Sequence, residues 1–310
     1  MLHENFTFTS AEGTEIFVYV WKPDEGIKVK GIVQIAHGMA ETGARYERFA
    51  DKLTEHGYIV YINDHRGHGK TAQTIDNVGY LAESEGFKWL VEDVHQLTGI
   101  IKSNHPGLPV FLLGHSMGSF VTQKYIMLYG RELNGTILSG SNGKQGLILK
   151  FATIIAQNEL KKHGRKSKSP KLNKISFGKH NKAFEPKRTE YDWLSRDEAE
   201  VDKYINDPFC GGIFTVGFFY DLLIGLKEIE NKQNLFLVPR ELPIYIFSGD
   251  KDPVGRNGKG IIKLFNTYKQ LNIQDVTYKL YKDGRHEMLN ETNRDEVMRD
   301  VILWLDRHLV

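Results

Sequence analysis

The chain has 310 residues, enough for one large α/β domain carrying an insertion. Its 40% hydrophobic and 26% charged residues are ordinary for a globular protein, and a net charge of +2 gives no overall basic excess of the kind nucleic-acid binding needs. Cys210 has no second cysteine to pair with, no run of about 18 apolar residues is long enough to span a bilayer, and the N-terminus lacks a basic stretch leading into an apolar core; together these predict a soluble, cytoplasmic protein.

Residues 5–9 and 15–21 alternate around Glu12-Gly13 and read as an antiparallel hairpin at a sheet edge. Strands follow at 31–36, 58–63, 110–113 and 135–139, with helical patterns at 45–55, 87–103 and 117–129 between them. This alternation predicts a mainly parallel sheet covered by helices on both faces. Ligand sites on such sheets lie beyond the carboxyl ends of the strands. The alternation then stops for roughly a hundred residues, before strands at 243–249 and 276–281 and a last helix at 294–309.

The chemistry centres on Gly114-His115-Ser116-Met117-Gly118, where an apolar strand runs into a serine and straight on into a helix. Glycines on both flanks remove Cβ atoms that a sharply turned serine would meet, and the unpaired N–H groups of the following helix favour an anion beside it. A base and an acid are expected after later strands, in the order serine, carboxylate, histidine. Asp250 and Asp252 follow the strand at 243–249, and Asp283 and His286 follow that at 276–281, which makes Ser116, Asp252 and His286 the triad in the right order, with Asp250 and Asp283 as competing carboxylates. The strand at 31–36 ends in His37-Gly38-Met39, so the backbone N–H of Met39 is the expected oxyanion donor beside that of Met117.

With these pieces in place, the chain resembles the α/β-hydrolase family. Within it, the branch resembled includes monoacylglycerol lipases, bacterial lysophospholipases and the hydrolases grouped with serine aminopeptidases. The resemblance rests on Ala36-His37-Gly38-Met39-Ala40-Glu41, Asp64-His65-Arg66-Gly67-His68-Gly69, the Ser116 motif, Ser248-Gly249-Asp250-Lys251-Asp252-Pro253-Val254 and Gly284-Arg285-His286-Glu287. It implies an α/β-hydrolase core at 1–142 and 238–310, a cap over the active site at 143–237, and Ser116 as nucleophile, Asp252 as acid and His286 as base. Met39 departs from relatives that carry a smaller residue there, which alters the pocket wall rather than the backbone donor.

The cap sequence has two notable parts. Residues 161–190 hold eleven Lys or Arg against Glu185 and Glu190, and 209–220 are aromatic and glycine-rich. One reading is a lid in which Phe209, Phe214, Phe218 and Phe219 line an acyl pocket while the basic segment contacts anionic membranes. The other is a solvated charged face and ordinary packing. His115 is expected to pack rather than to catalyse, and His37 to brace the oxyanion loop. Arg66 and Asp64 are expected to tie their loop by charge-assisted hydrogen bonds, and Cys210 to be buried. His65 and His68 lack a third ligand at suitable spacing, so no metal is expected, and no dinucleotide fingerprint calls for a cofactor. The expected function is hydrolysis of single-chain lipid esters, monoacylglycerol or lysophospholipid, through an acyl-enzyme on Ser116. The alternatives are a serine aminopeptidase-like peptidase, a small-molecule carboxylesterase, or a binding protein that kept only the fold.

Overall fold

The computed structural model describes residues 1–309. In chain order the core contains β1 (Leu2–Thr9), β2 (Glu15–Lys22), β3 (Gly31–Ala36), α1 (Glu47–Glu55), β4 (Tyr58–Asn63), α2 (Gly86–Asn104), β5 (Val110–His115), α3 (Met117–Tyr129) and β6 (Gly135–Ser139). Five helices interrupt it: α4 (Leu147–His163), α5 (Pro170–Phe177), α6 (Glu198–Asn206), α7 (Val216–Ile229) and the short α8 (Lys232–Leu235). The core resumes with β7 (Ile244–Gly249), α9 (Lys259–Gln270), β8 (Val276–Tyr281) and α10 (Arg294–Asp306).

The eight strands form one sheet in the order β1-β2-β4-β3-β5-β6-β7-β8. The β1–β2 hairpin stands at the edge as expected, β2 runs antiparallel to β4, and every later pairing is parallel. Strands β3 to β7 are buried at every position, because helices cover both faces and only continuous apolar runs can be buried twice over. Period-2 alternation divides their side chains between two cores. Ile32, Leu112 and Ile246 join the core under α2, α3, α7 and α9, while Val33, Phe111, Leu113 and Phe247 join the core under α1 and α10.

Several boundaries differ from expectation: β1 starts at Leu2 rather than residue 5, and β5 runs on to His115 rather than stopping at 113. The helix expected from residue 45 begins at Glu47, because Gly43–Tyr46 take a tight 3-10 turn, and the last helix ends at Asp306 rather than 309. The chain leaves β3 toward β4 on one side and later returns to place β5 on the other, so the strand order reverses between β3 and β5. The carboxyl ends of those two strands are where such sheets place their ligands.

Candidate active site

Ser116 follows β5 at φ 51°, ψ −117°, a left-handed conformation that is costly for any residue with a side chain. Its N–H donates to Ser139 O at 2.9 Å, extending the ladder with β6 while the chain turns into α3. The turn needs both flanking glycines. A Cβ on Gly118 would come 2.0 Å from Ala36 O, and one on Gly114 would come 2.3 Å from Thr122 Oγ1 and 2.4 Å from Gly118 O. The motif therefore packs strand, turn and helix closer than any larger residue allows, and it starts α3 at Met117 with its first N–H groups beside the serine.

His286 and Asp252 arrive from the two strand ends beyond β6. His286 Nδ1 lies 3.0 Å from Asp252 Oδ1, with both side chains buried. The acid is held from the other side: Asp252 Oδ2 accepts from Ser248 Oγ at 2.6 Å, and Oδ1 accepts from the Val254 N–H at 2.8 Å. Burial opposes a charge on Asp252, but His286 and these donors keep its pKa below the usual carboxylate value. Burial likewise opposes a charge on His286, yet Asp252 beside it raises the imidazole above its usual value. The competing carboxylates are elsewhere: Asp250 Oδ1 accepts from the Asp283 N–H at 2.9 Å, and the two brace each other's loops.

The turn after β3 is built around His37. Its Nδ1–H donates to Gly38 O at 2.7 Å and its Nε2 accepts from the His65 N–H at 2.9 Å, so both nitrogens are used by a neutral ring. Burial, then the neighbouring His65 and His68, pushes its pKa well below the ordinary value. His37 thus braces the Gly38-Met39 turn, and with both nitrogens taken it gives His65 and His68 no third metal ligand. A Cβ on Gly38 would lie 3.2 Å from Ser116 Cβ, which measures how closely this backbone passes the serine. His115 lies 3.1 Å from Ser139 Oγ through Nδ1, and burial next to His286 lowers its pKa to about 3, leaving it a neutral packing partner. Arg66 pairs with Asp93 at 2.6 Å and with Glu12, while Asp64 accepts the N–H groups of Gly43 and Lys70, both at 2.7 Å. Burial pushes the Cys210 thiol pKa up.

A second polar group, which no sequence pattern reveals, joins the loops. Glu41 accepts from the Gly38 N–H at 2.5 Å and from Tyr46 Oη at 2.9 Å. Arg45 donates to Glu41 at 2.8 Å and grips Glu287 with two bonds of 2.7 Å. Burial opposes the charge on Glu287, but Arg45 holds its pKa down to about 2. The pair ties the turn behind β3 to the loop carrying His286. Glu41 and Glu287 stood in the quoted motifs; only the fold shows that Arg45 joins them.

Above Ser116 and His286 is a cavity of about 520 Å³, a size typical of small-molecule sites. Met39 forms part of its wall, and the insertion contributes Phe177, Tyr191, Trp193, Leu194, Tyr204 and Ile213. The four phenylalanines expected there line none of it. Phe214, Phe218 and Phe219 are buried in the main core, with Phe214 and Phe218 against each other and against the His68 ring, and Phe209 packs on that core's margin. The physical reason is that α7, which carries two of them, packs on α2, α3 and α4 and turns its aromatic face into the sheet's helical layer. Trp193 instead stands with its ring centroid 5.1 Å from that of His286, and its carbonyl accepts the His286 N–H at 3.3 Å.

Residues 27–293 match the family described as serine aminopeptidase, S33. The monoacylglycerol lipase of Mycolicibacterium smegmatis is 29% identical over 98% of this chain and 97% of its own. The probable lysophospholipase L2 of Haemophilus influenzae is 23% identical over 88% of this chain and 82% of its own. The solved structure of a highly thermostable carboxyl esterase from Bacillus coagulans superposes with a TM-score of 0.92 at 30% identity, covering all of both chains. An eight-stranded, mostly parallel sheet, a strained serine between β5 and α3, and a match over residues 27–293 make this chain a member of the serine aminopeptidase S33 family, on the α/β-hydrolase fold.

Proposed function

We propose that the protein is a serine ester hydrolase that cleaves single-chain lipid esters, monoacylglycerol or lysophospholipid. The observation that carries this reading is the His286–Asp252 hydrogen bond behind an aromatic-walled cavity that both His286 and Ser116 line. Ser116 Oγ attacks the ester carbonyl carbon as His286 takes its proton, and the N–H groups of Met39 and Met117 hold the oxyanion. The C–O bond to the alcohol breaks as His286 returns the proton to it. Water, deprotonated by His286, then releases the fatty acid and restores Ser116. The named activities of the M. smegmatis and H. influenzae relatives support the substrate class, and the cavity's apolar walls suit an acyl chain.

The peptidase alternative needs an acidic anchor for a substrate amino group. Of the insertion's acidic residues, Asp192 is taken by the Arg188 and Thr189 N–H groups, Asp197 by Arg294, and Glu200 by Arg48 and Lys203. Glu190 alone of these lines the cavity, where Lys174 also stands. That favours the ester.

Contact with an anionic membrane through the insertion is part of the proposal. Its support differs from the sequence expectation. Within residues 161–190, Arg165 pairs with Asp221, Lys166 with Glu83, Lys171 with Glu159 and Arg188 with Asp202, and Lys168 donates to Val78 O. The stronger support is the face of α4, where Leu147, Ile148, Phe151 and Ile154 are all more than half exposed, beside Lys150. Among the described residues no helix is long and apolar enough to cross a membrane. The cytoplasmic location rests on the lone cysteine.

Hydrolysis of p-nitrophenyl esters from acetyl to palmitoyl tests the reading. Turnover should favour medium or long chains and fall by about 10⁶ in Ser116→Ala, the scale of losing such a nucleophile. Preference for aminoacyl p-nitroanilides would establish the peptidase instead.

A further inference from the structure

A second cavity, of about 440 Å³, opens among α3, α7, α8 and α9 and shares no lining residue with the cavity above Ser116. Its walls are apolar: Phe120, Leu226, Ile229, Leu235, Leu264 and Leu271. Its rim carries Lys144, Lys232 and Lys263, all exposed, against the single carboxylate of Glu230. That carboxylate is already occupied, accepting the N–H of Gln145 at 2.5 Å and of Gly146 at 3.4 Å. Lys263 Nζ donates to Lys144 O at 2.7 Å, and among the described residues Lys144 and Lys232 make no ion pair.

An apolar pocket in the ~300–1,000 Å³ range with an unbalanced cationic rim complements a hydrocarbon chain that ends in an anion. The cavity floor also leads to the reacting groups by two routes. Asn142, in the floor, donates to Val254 O at 2.8 Å, and the Val254 N–H donates to Asp252 Oδ1 at 2.8 Å. Gln123, also in the floor, donates to Ser141 Oγ at 3.0 Å; Ser141 Oγ lies 2.8 Å from Ser119 Oγ, which donates to Ser116 O at 2.6 Å. The acid loop is thus hydrogen-bonded directly to a residue that a ligand here would touch, and the serine turn is linked to another through Ser119 and Ser141.

We propose that this cavity is a second binding site, for a long-chain carboxylate, and that its occupancy adjusts the Asp252 loop and the Ser116 turn. The proposal leans on the ester-hydrolase reading in one respect: the ligand is then the reaction's own fatty-acid product, and the site senses it. The route is a physical connection, and coupling is what the experiment must measure.

The test begins with Ser116 phosphonylated by hexadecyl fluorophosphonate, whose chain fills the first cavity. Oleate is then titrated calorimetrically, below the concentration at which it forms micelles. One oleate should bind per chain. Binding should weaken at least tenfold in Lys144→Glu/Lys232→Glu, which reverses the rim charge, and in Leu271→Trp, which fills the chamber. Oleyl alcohol should bind at least tenfold more weakly than oleate. No binding to the blocked chain, binding unchanged in both variants, or equal binding of the alcohol overturns the site. In the unblocked chain, oleate should change kcat for p-nitrophenyl butyrate at saturating substrate, and Lys144→Glu/Lys232→Glu should keep the basal kcat but lose the response. A response that persists in that variant overturns the coupling. Failure of the phosphonate to label Ser116 overturns the hydrolase reading alone, and the same variants then decide the second site in the unlabelled chain.

Discussion

Two parts of the insertion are attached to the core in opposite ways. Residues 192–196 are fastened to the loop that carries His286. The Glu287 N–H donates to Leu194 O at 2.8 Å, Arg285 donates to Asp192 O and Ser195 O, and Arg196 pairs with Glu291 at 2.9 Å. Glu291 is fully buried and also accepts the N–H groups of Arg196 and Arg285. Helix α4, by contrast, buries Leu149, Thr153 and Ala156 against α7 and presents an apolar face outward, with Phe151 65% exposed. The first part is a fixed wall that sets Trp193 against His286. The other keeps apolar surface in water, which a folded chain avoids unless something else covers it. The same insertion therefore combines a fixed wall beside His286 with an exposed apolar face.

The fixed side can be broken first at Arg45, where the expected effect is largest. Arg45→Met leaves Glu41 and Glu287 as buried carboxylates without their cation, and should cost about 3–5 kcal/mol in urea unfolding. A loss under about 1 kcal/mol would mean that the pair does not hold the two loops together. Glu291→Ala comes next. It strands the N–H groups of Arg196 and Arg285, and should cost about 2–3 kcal/mol and lower kcat while leaving fluorophosphonate labelling of Ser116 detectable. Wild-type kcat in that variant would show that the fastening is irrelevant to catalysis.

The pH profile sharpens the same side. In the proposed mechanism His286 must be neutral to accept the serine proton, and its pKa is raised. Activity should therefore fall as pH drops through a value above the usual 6.5, rather than below it. Asp252→Asn removes the attraction that raises it, so the residual activity should retain its acid limb to lower pH; an unmoved limb would detach Asp252 from His286. The loose side should respond least in stability. Ile148→Ser/Phe151→Ser should change folding by less than about 0.5 kcal/mol and leave p-nitrophenyl butyrate hydrolysis intact, yet weaken sedimentation with vesicles containing phosphatidylglycerol. Undiminished vesicle binding would sink the membrane role of α4.

Local pattern made most of the sheet readable. Residues 31–36, 58–63, 110–113 and 243–249 are apolar runs bounded by turn signals, and Gly114-His115-Ser116-Met117-Gly118 announces its own turn because the glycines are required by close backbone approach. The insertion was harder to read for a physical reason. Phe209, Phe214, Phe218 and Phe219 look like a ligand wall when read along the chain, since core packing and pocket lining draw on the same apolar residues. Likewise a run of lysines and arginines reads as free charge until carboxylates distant in sequence, Asp221 and Glu83 among them, are brought beside it.

The sequence by itself determined the strand–helix order, the serine turn, and a histidine and a carboxylate after the last two strands, all of which depend on neighbours a few residues apart. Tertiary structure alone decided that Trp193 rather than the expected phenylalanines faces His286, and that Arg45 joins Glu41 to Glu287, while the expected preference for Asp252 over Asp250 and Asp283 agrees with its hydrogen bond to His286. Apart from Arg45–Glu41, those contacts join residues tens to hundreds of positions apart. Their geometry comes from how helices and loops stack on the finished sheet, and no short-range pattern encodes it.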